Sequence, residues 1–256
     1  MKIAALYDIH GNLPALEAVL KEIDQTHPDL ILVGGDIVSG PMPRATLERL
    51  LSLGNKVRFI RGNADREVVA AFDGLPLDPN LPEEVQEVTV WIAKQIERSQ
   101  RDFLAGLPEQ VVIDVDRLFD VLFCHGSPRS DEEIITGATP LARLSEILAG
   151  VKQNIVVCGH THMQFDRVIN GVRIVNAGSV GMPYGKRGLT GCCLGQRSCC
   201  DGHFMTWSRQ QNVSMQATTR SPKISPTIMS SSRQQKLRPL RYLSAWRHNV
   251  RKLSHN

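Results

Sequence analysis

No stretch of the 256-residue chain approaches the run of about 20 apolar residues that a bilayer span needs. The first apolar run, IAALY, is too short for the core of a secretion signal. These absences exclude a membrane partner and point to a cytoplasmic protein. Cysteine is scarce where the chain looks globular. Residues 1–188 hold only Cys124 and Cys158, both inside apolar runs and expected as reduced core residues. Cys192, Cys193, Cys199 and Cys200 crowd the far end as adjacent pairs, without the C-x-x-C spacing of a zinc knuckle. Acidic residues are almost missing from that end. Residues 189–256 carry 11 Lys/Arg against the single acid Asp201, whereas residues 1–188 carry 19 Lys/Arg against 25 Asp/Glu. The formal net charge of +4 therefore joins an acidic part to a basic one. No internal repeat is present.

What is there reads as α/β. The length suits one α/β domain with a full core, or two small domains. KIAALYDI is strand-like, and LPALEAVLKEIDQT places Leu13, Leu16, Val19, Leu20 and Ile23 at helical spacing. Pro14 suits a first helical turn. DLILVGGD reads as a second strand, TLERLLSLG as a second helix stopped by Gly54, and KVRFIRGN as a third strand. This alternation predicts a parallel sheet covered by helices. Residues 64–110 hold a loop containing Pro76, Pro79 and Pro82, then one helical stretch from Glu83 to about Leu104, expected as a cap or insertion beside the sheet ends. Strands return at VVIDV, LFDVLFCHG, NIVVCGH, FDRVING and VRIVNAGS, with the helical segment PLARLSEILAG between the two His-bearing strands. Gly171 marks a tight turn, so FDRVI and VRIVNA should pair as an antiparallel hairpin.

Five apolar runs stop at residues able to bind a metal. They end at Asp8 and His10, at Asp36, at Asn63, at His125, and at His160 and His162. Taken singly each is ordinary, since Asp and Asn after a strand commonly cap helices or make turns. Together they occupy the same place at the carboxyl ends of strands, where open α/β sheets bind ligands. Gly34 and Gly35 let the second strand bend abruptly and deliver Asp36 to that edge. Two carboxylates, an amide and four imidazoles form an N/O set that suits Mn, Fe, Zn, Co or Ni. Seven ligands exceed the needs of one tetrahedral ion; two ions sharing a carboxylate, as in phosphate-ester hydrolysis, would use them all.

The motifs D-x-H-G-N (Asp8 to Asn12), G-G-D (Gly34 to Asp36), G-N-x-D (Gly62 to Asp65), C-H-G (Cys124 to Gly126) and G-H-T-H (Gly159 to His162) resemble the calcineurin-like metallophosphoesterase superfamily. They look most like its small bacterial and archaeal phosphodiesterases, as does N-A-G-S-V-G (Asn176 to Gly181). The resemblance implies a sandwich of mixed β-sheet layers flanked by α-helices. It implies two divalent metal ions, Mn2+ first, with Fe, Zn, Ni, Co or Mg as alternatives. Asp8, His10 and His162 would hold one ion, Asn63, His125 and His160 the other, and Asp36 would bridge. A hydroxide between the ions would attack phosphorus in line. Asp36, Asn63, Asp65 and His125 are the implied catalytic residues, and the partner is a small phosphate-ester substrate.

One position departs from the pattern. Many members carry a histidine where this chain has Ala64, and Ala64 offers no proton to a leaving group. That favours phosphodiesters or activated esters over broad monoester hydrolysis. Arg61 and Arg66 are the nearby cations that could meet phosphate, and Pro183 and Tyr184 are candidates for the rim. The competing readings are a phosphatase of phosphoproteins or dinucleoside polyphosphates, and a non-catalytic scaffold with the same fold. The sequence sets no oligomeric state.

From Leu189 the chain loses periodicity, acids and resemblance. The neighbouring reading frame makes better sense of it. Joining each codon's last base to the next two forces an Asp at Met205-Thr206 and, with an AGY serine, a Glu at Trp207-Ser208. Allowed wobble bases turn GLTGCCL into AYWLLL, a strand. A frameshift near Gly188 is the expectation, leaving a domain over 1–188 and a basic, disordered tail over 189–256 with a final strand lost. The basic balance is then an accident of frame, and nucleic acid is disfavoured as a partner.

Overall fold

The computed structural model describes residues 1–115, 120–184, 189–196 and 202–209, the last two spans as strand backbone. Two five-stranded sheets lie face to face. One has the order β10-β9-β1-β2-β3, built from β1 (Ile3–Leu6), β2 (Leu30–Val33), β3 (Val57–Phe59), β9 (Leu189–Gln196) and β10 (Gly202–Arg209). The other has the order β4-β5-β6-β8-β7, built from β4 (Gln110–Asp114), β5 (Asp120–Cys124), β6 (Ile155–Cys158), β7 (Phe165–Ile169) and β8 (Val172–Asn176). β1, β2 and β3 run parallel, as do β5, β6 and β8. β7 and β8 form the antiparallel hairpin expected around Gly171.

The central strands read as unbroken apolar runs because both of their faces are covered. In β1 and the residue after it, Ile3, Ala5 and Tyr7 point between the sheets, while Ala4 and Leu6 point to the helices. β5 divides likewise, with Val121 and Phe123 between the sheets and Leu122 and Cys124 facing α6 (Leu141–Ile147). Cys124 and Cys158 are buried free thiols, as expected.

The first sheet's outer face is covered by α1 (Leu13–Thr26), α2 (Pro43–Leu51), α3 (Asn63–Phe72), α4 (Glu83–Ala93) and α5 (Arg98–Ala105). The expected apolar stripe of α1 is the buried one, and Asn12 caps it by accepting from Ala15 N at 3.1 Å. Two expectations change in this layer. Residues 64–110 do not stand apart as a cap, because Val68, Ile92, Ala93, Ile96 and Leu104 join the same core cluster as Leu16 and Val33. The helix expected from Glu83 to Leu104 is two. Glu97 is extended, and Gln100 reaches back to accept from its N–H at 3.0 Å, which starts α5 anew and leaves Ile96 buried at the break.

Strand pairing also continues past residue 188. β9 pairs antiparallel with β1, Ile3 opposite Leu194, so the first sheet keeps the strand that a frameshift near Gly188 was expected to remove. Residues 210–256, most of the expected tail, lie outside the described residues.

Candidate metal centre

Loops at the carboxyl ends of β1, β2, β3, β5 and β6 meet at one edge of the sandwich. Backbone bonds lace them together. His10 N donates to Asp36 O at 2.9 Å, Gly11 N to Ile37 O at 2.8 Å, and Gly159 N to His125 O at 2.8 Å. The N-A-G-S-V-G stretch ties the second sheet to the loop after β1 and to its own loop after β6. Ser179 Oγ donates to Asp8 O at 2.7 Å, Gly181 N to the same oxygen at 2.9 Å, and Asn176 Nδ2 to Gly159 O at 2.6 Å.

These loops gather two triads of potential ligands, Asp8-His10-His162 and Asp36-His125-His160, each with its ligand atoms within 4.8 Å of one another. The triads adjoin. Asp36 Oδ2 lies 3.7 Å from His10 Nε2 while its Oδ1 lies 3.5 Å from His125 Nε2, so this carboxylate faces both. Asp8 Oδ1 lies 3.3 Å from His162 Nε2 and 3.8 Å from His125 Nε2. Asn63 opens α3 beside them, where Ala64 N donates to Asp36 Oδ1 at 2.9 Å.

The local backbone is held where most residues do not go. Asp8, His10, Asp36, His160 and His162 all have φ between 50° and 64°. Left-handed non-glycine residues of this kind cost on the order of 1–3 kcal/mol each and collect at functional sites. Gly35 sits among them at φ 91°, and a Cβ there would come within 2.5 Å of Gly62 N and 2.8 Å of His125 Nδ1.

Hydrogen bonding fixes which nitrogen each ring presents. The Nδ1 atoms of His10, His125 and His162 lie 3.0, 2.8 and 2.9 Å from the carbonyls of Ser39, Gly34 and Met182. A carbonyl only accepts, so each ring donates from Nδ1 and turns Nε2 inward, as metal-binding imidazoles do. His10 and His162 then bring two Nε2 atoms within 3.0 Å of each other, a contact that needs a proton or a cation between them. Asp8 Oδ1, Asn63 Oδ1 and His125 Nε2 are buried and have no hydrogen-bond partner. Buried atoms left without a hydrogen bond on would-be ligands suit divalent ions bound by this N/O donor set, so the residues fit the metals.

Charge tells the same story. Burial opposes ionisation of Asp36, but His125 and His10 outweigh it and hold the carboxyl far below its ordinary range. Burial likewise opposes Asp8, which His162 and His125 pull down. Burial disfavours a charged His125, yet Asp36 and Asp8 push it up to about 10, and Asp8 raises His162 against the same penalty. Burial together with the neighbouring imidazole His162 lowers His10, and burial with His125 lowers His160. Protons thus neutralise the carboxylates where divalent ions could do so instead.

Three sequence expectations land elsewhere. Asp65 is fully buried beneath the site, accepting from Ile37 N at 2.8 Å, Val38 N at 3.3 Å and Gly62 N at 3.1 Å. It pins the loop after β2 to the start of α3, a positioning task; burial and the charge of Asp36 push it up to about 7. Arg61 is paired with Glu109 at 2.7 Å, and Arg66 with Asp131 at 3.0 Å and Glu132 at 2.6 Å, so both expected phosphate-binding cations have carboxylate partners. Tyr184 does sit at the edge of the centre, exposed, with its ring 4.8 Å from that of His162. The sequence reading missed the fasteners Ser179 and Asn176 and the carbonyls behind the imidazoles. Only the unusual N-A-G-S-V-G stretch signalled them.

The chain is similar to known proteins. The chain is 26% identical over 194 residues to the phosphodiesterase YfcE of Escherichia coli K12, across 72% of this chain and 82% of the relative. A shorter match, 35% identical over 98 residues, links 34% of this chain to 35% of a symmetrical bis(5'-nucleosyl)-tetraphosphatase of Enterobacter. A metallophosphoesterase structure from Sphaerobacter thermophilus superposes with a TM-score of 0.59 at 28% identity, covering 75% of this chain and 82% of its own. Residues 1–197 match the calcineurin-like phosphoesterase superfamily domain. The paired triads, the two-sheet fold and this match over most of the sequence make the chain a phosphoric ester hydrolase belonging to the calcineurin-like phosphoesterase superfamily.

Proposed function

We propose that the protein hydrolyses phosphodiester and activated phosphate-ester bonds at a dinuclear centre. Asp8, His10 and His162 hold one ion, Asn63, His125 and His160 hold the other, and Asp36 is shared. The observation that carries this reading is the trio of buried atoms Asp8 Oδ1, Asn63 Oδ1 and His125 Nε2, each on a candidate ligand and none with a well-formed hydrogen bond. Such atoms cost about 1–3 kcal/mol apiece when left unsatisfied. Two divalent ions bound there supply Lewis acidity toward the phosphoryl oxygens and a nucleophile at neutral pH. The chain's own share is orientation. Three backbone carbonyls lock three imidazoles, Asp36 turns one oxygen toward each triad, and the α3 amino end faces the site.

Substrate range is set by Ala64. Its N–H is committed to Asp36, and its methyl side chain has no proton for a departing alkoxide. Esters whose leaving groups depart unaided should therefore turn over best. The name of the E. coli relative agrees with diester hydrolysis. The match to a dinucleoside tetraphosphatase favours, as a second reading, a substrate with two nucleosides joined through phosphates. Retention of all seven expected ligand residues argues against a scaffold.

Manganese is the metal to test first. Protein freed of metal with a chelator and reloaded with Mn2+ should hydrolyse bis(p-nitrophenyl) phosphate and discriminate against simple alkyl monoesters. Asp36→Asn should lose at least about 100-fold in kcat/KM, since one shared ligand serves both ions. Turnover that survives complete metal removal, or a preference for alkyl monoesters, overturns the reading.

A further inference from the structure

An asparagine ligand poses an orientation problem. Its amide oxygen and nitrogen are nearly the same size, and only the oxygen can bind a cation. Something must decide which end faces the centre. In α3, Glu67 lies four residues after Asn63, on the same face of the helix. Asn63 Nδ2 donates to Glu67 Oε1 at 3.4 Å. A carboxylate only accepts, so it can take the NH2 end and not the carbonyl end. The other end, Asn63 Oδ1, is the buried atom without a partner. The adjacent cation, Arg66, is turned to Asp131 and Glu132.

We propose that Glu67 is a positioning residue that holds the Asn63 amide with its oxygen toward the ion shared by His125 and His160. This rests on the dinuclear reading above. It assigns Glu67 the same service that backbone carbonyls give His10, His125 and His162. Such supporting contacts are commonly worth 10–100-fold in metal affinity.

The test is Mn2+ titration by calorimetry on the full-length protein at pH 8, comparing wild type with Glu67→Ala and Glu67→Gln. Wild type should bind two ions. Glu67→Ala should bind one with unchanged affinity and the other about 10–100-fold more weakly. Glu67→Gln should recover most of that loss, because its amide oxygen can still accept from Asn63. In metal-free protein, the side-chain NH2 signals of Asn63 should move in Glu67→Ala and return toward the wild-type position in Glu67→Gln. A Glu67→Ala protein that binds both ions like wild type, or that weakens both equally, overturns the proposal while leaving the dinuclear reading standing. A wild-type protein that binds fewer than two ions overturns both.

Discussion

Ser179 shows how much of the centre is held by residues outside the two triads. Its hydroxyl donates to Asp8 O at 2.7 Å and accepts from Met182 N at 2.8 Å, and Met182 O in turn receives Nδ1 of His162. Two members of one triad therefore hang on a single buried oxygen. Ser179→Ala should destabilise the fold by about 1–3 kcal/mol, as buried partners lose their hydrogen bond. Mn2+ affinity should fall with it, both read from denaturation and calorimetry. The side chains gathered in the two triads were legible in the sequence as candidates, because each ends an apolar run and residues just past a strand end lie at the open edge of the sheet. Their supports were not. A backbone carbonyl behind an imidazole leaves no trace in residue identity, and neither do the three backbone donors that hold Asp65. The left-handed backbone at five of the six clustered candidates was also hidden, since histidine and aspartate favour positive φ too weakly to predict it.

Elements place these residues, and elements were read well where burial was two-sided. β1, β2, β5 and β6 announce themselves as unbroken apolar runs. The break between α4 and α5 did not, because hydrophobic spacing continues through Ile92, Ile96 and Leu104 while the interruption is made by one side-chain bond from Gln100. The bend after β2 depends on a shape only glycine supplies. Gly35→Ala should cost on the order of 1–3 kcal/mol from the left-handed strain alone, with the contacts at Gly62 and His125 adding to it. Its thermal midpoint and its Mn2+ affinity should fall together. The loop after β5 is secured differently, by Glu133, which accepts from Arg129 Nη2 at 2.6 Å, Ser127 Oγ at 2.7 Å and Arg143 Nη2 at 2.7 Å. Hydrogen bonding from Arg129, against burial and with help from Ser127 and Arg143, pushes this carboxyl from 4.5 down to about 2. A depressed acid stabilises the fold above its unfolded value and loses that contribution as pH falls through its folded one. Wild-type stability should accordingly drop between about pH 4.5 and 2 by roughly 1 kcal/mol more than Glu133→Gln does, a modest figure because the arginines are half exposed. Parallel acid-unfolding curves for the two proteins would rule this out.

At the scale of the whole chain, charge and metal matter more than any one contact. The acidic part and the basic end meet in the sequence near residue 188, although β9 continues the first sheet beyond it. We propose that the basic end reflects a shifted reading frame, and the coding DNA tests this directly: an open shifted frame should run past Met205-Thr206, and a stop codon within it removes the idea. The metal centre makes a second whole-molecule prediction. It joins loops from both sheets, so ions bound there stabilise the native state and not the unfolded chain. At a free Mn2+ concentration 100-fold above Kd, each site adds about 2.7 kcal/mol. For a chain of this size that is roughly 5–10 °C in Tm per site. The gain should shrink from pH 8 to pH 6, because protons compete for the imidazoles and the metal-free centre already holds His125 near 10. Asp36→Asn should forfeit most of it, since the shared carboxylate faces both triads. Scanning calorimetry with and without Mn2+ at both pH values decides the matter. A Tm indifferent to the ion at pH 8 means that the loops hold their strained shape for some other reason than metal.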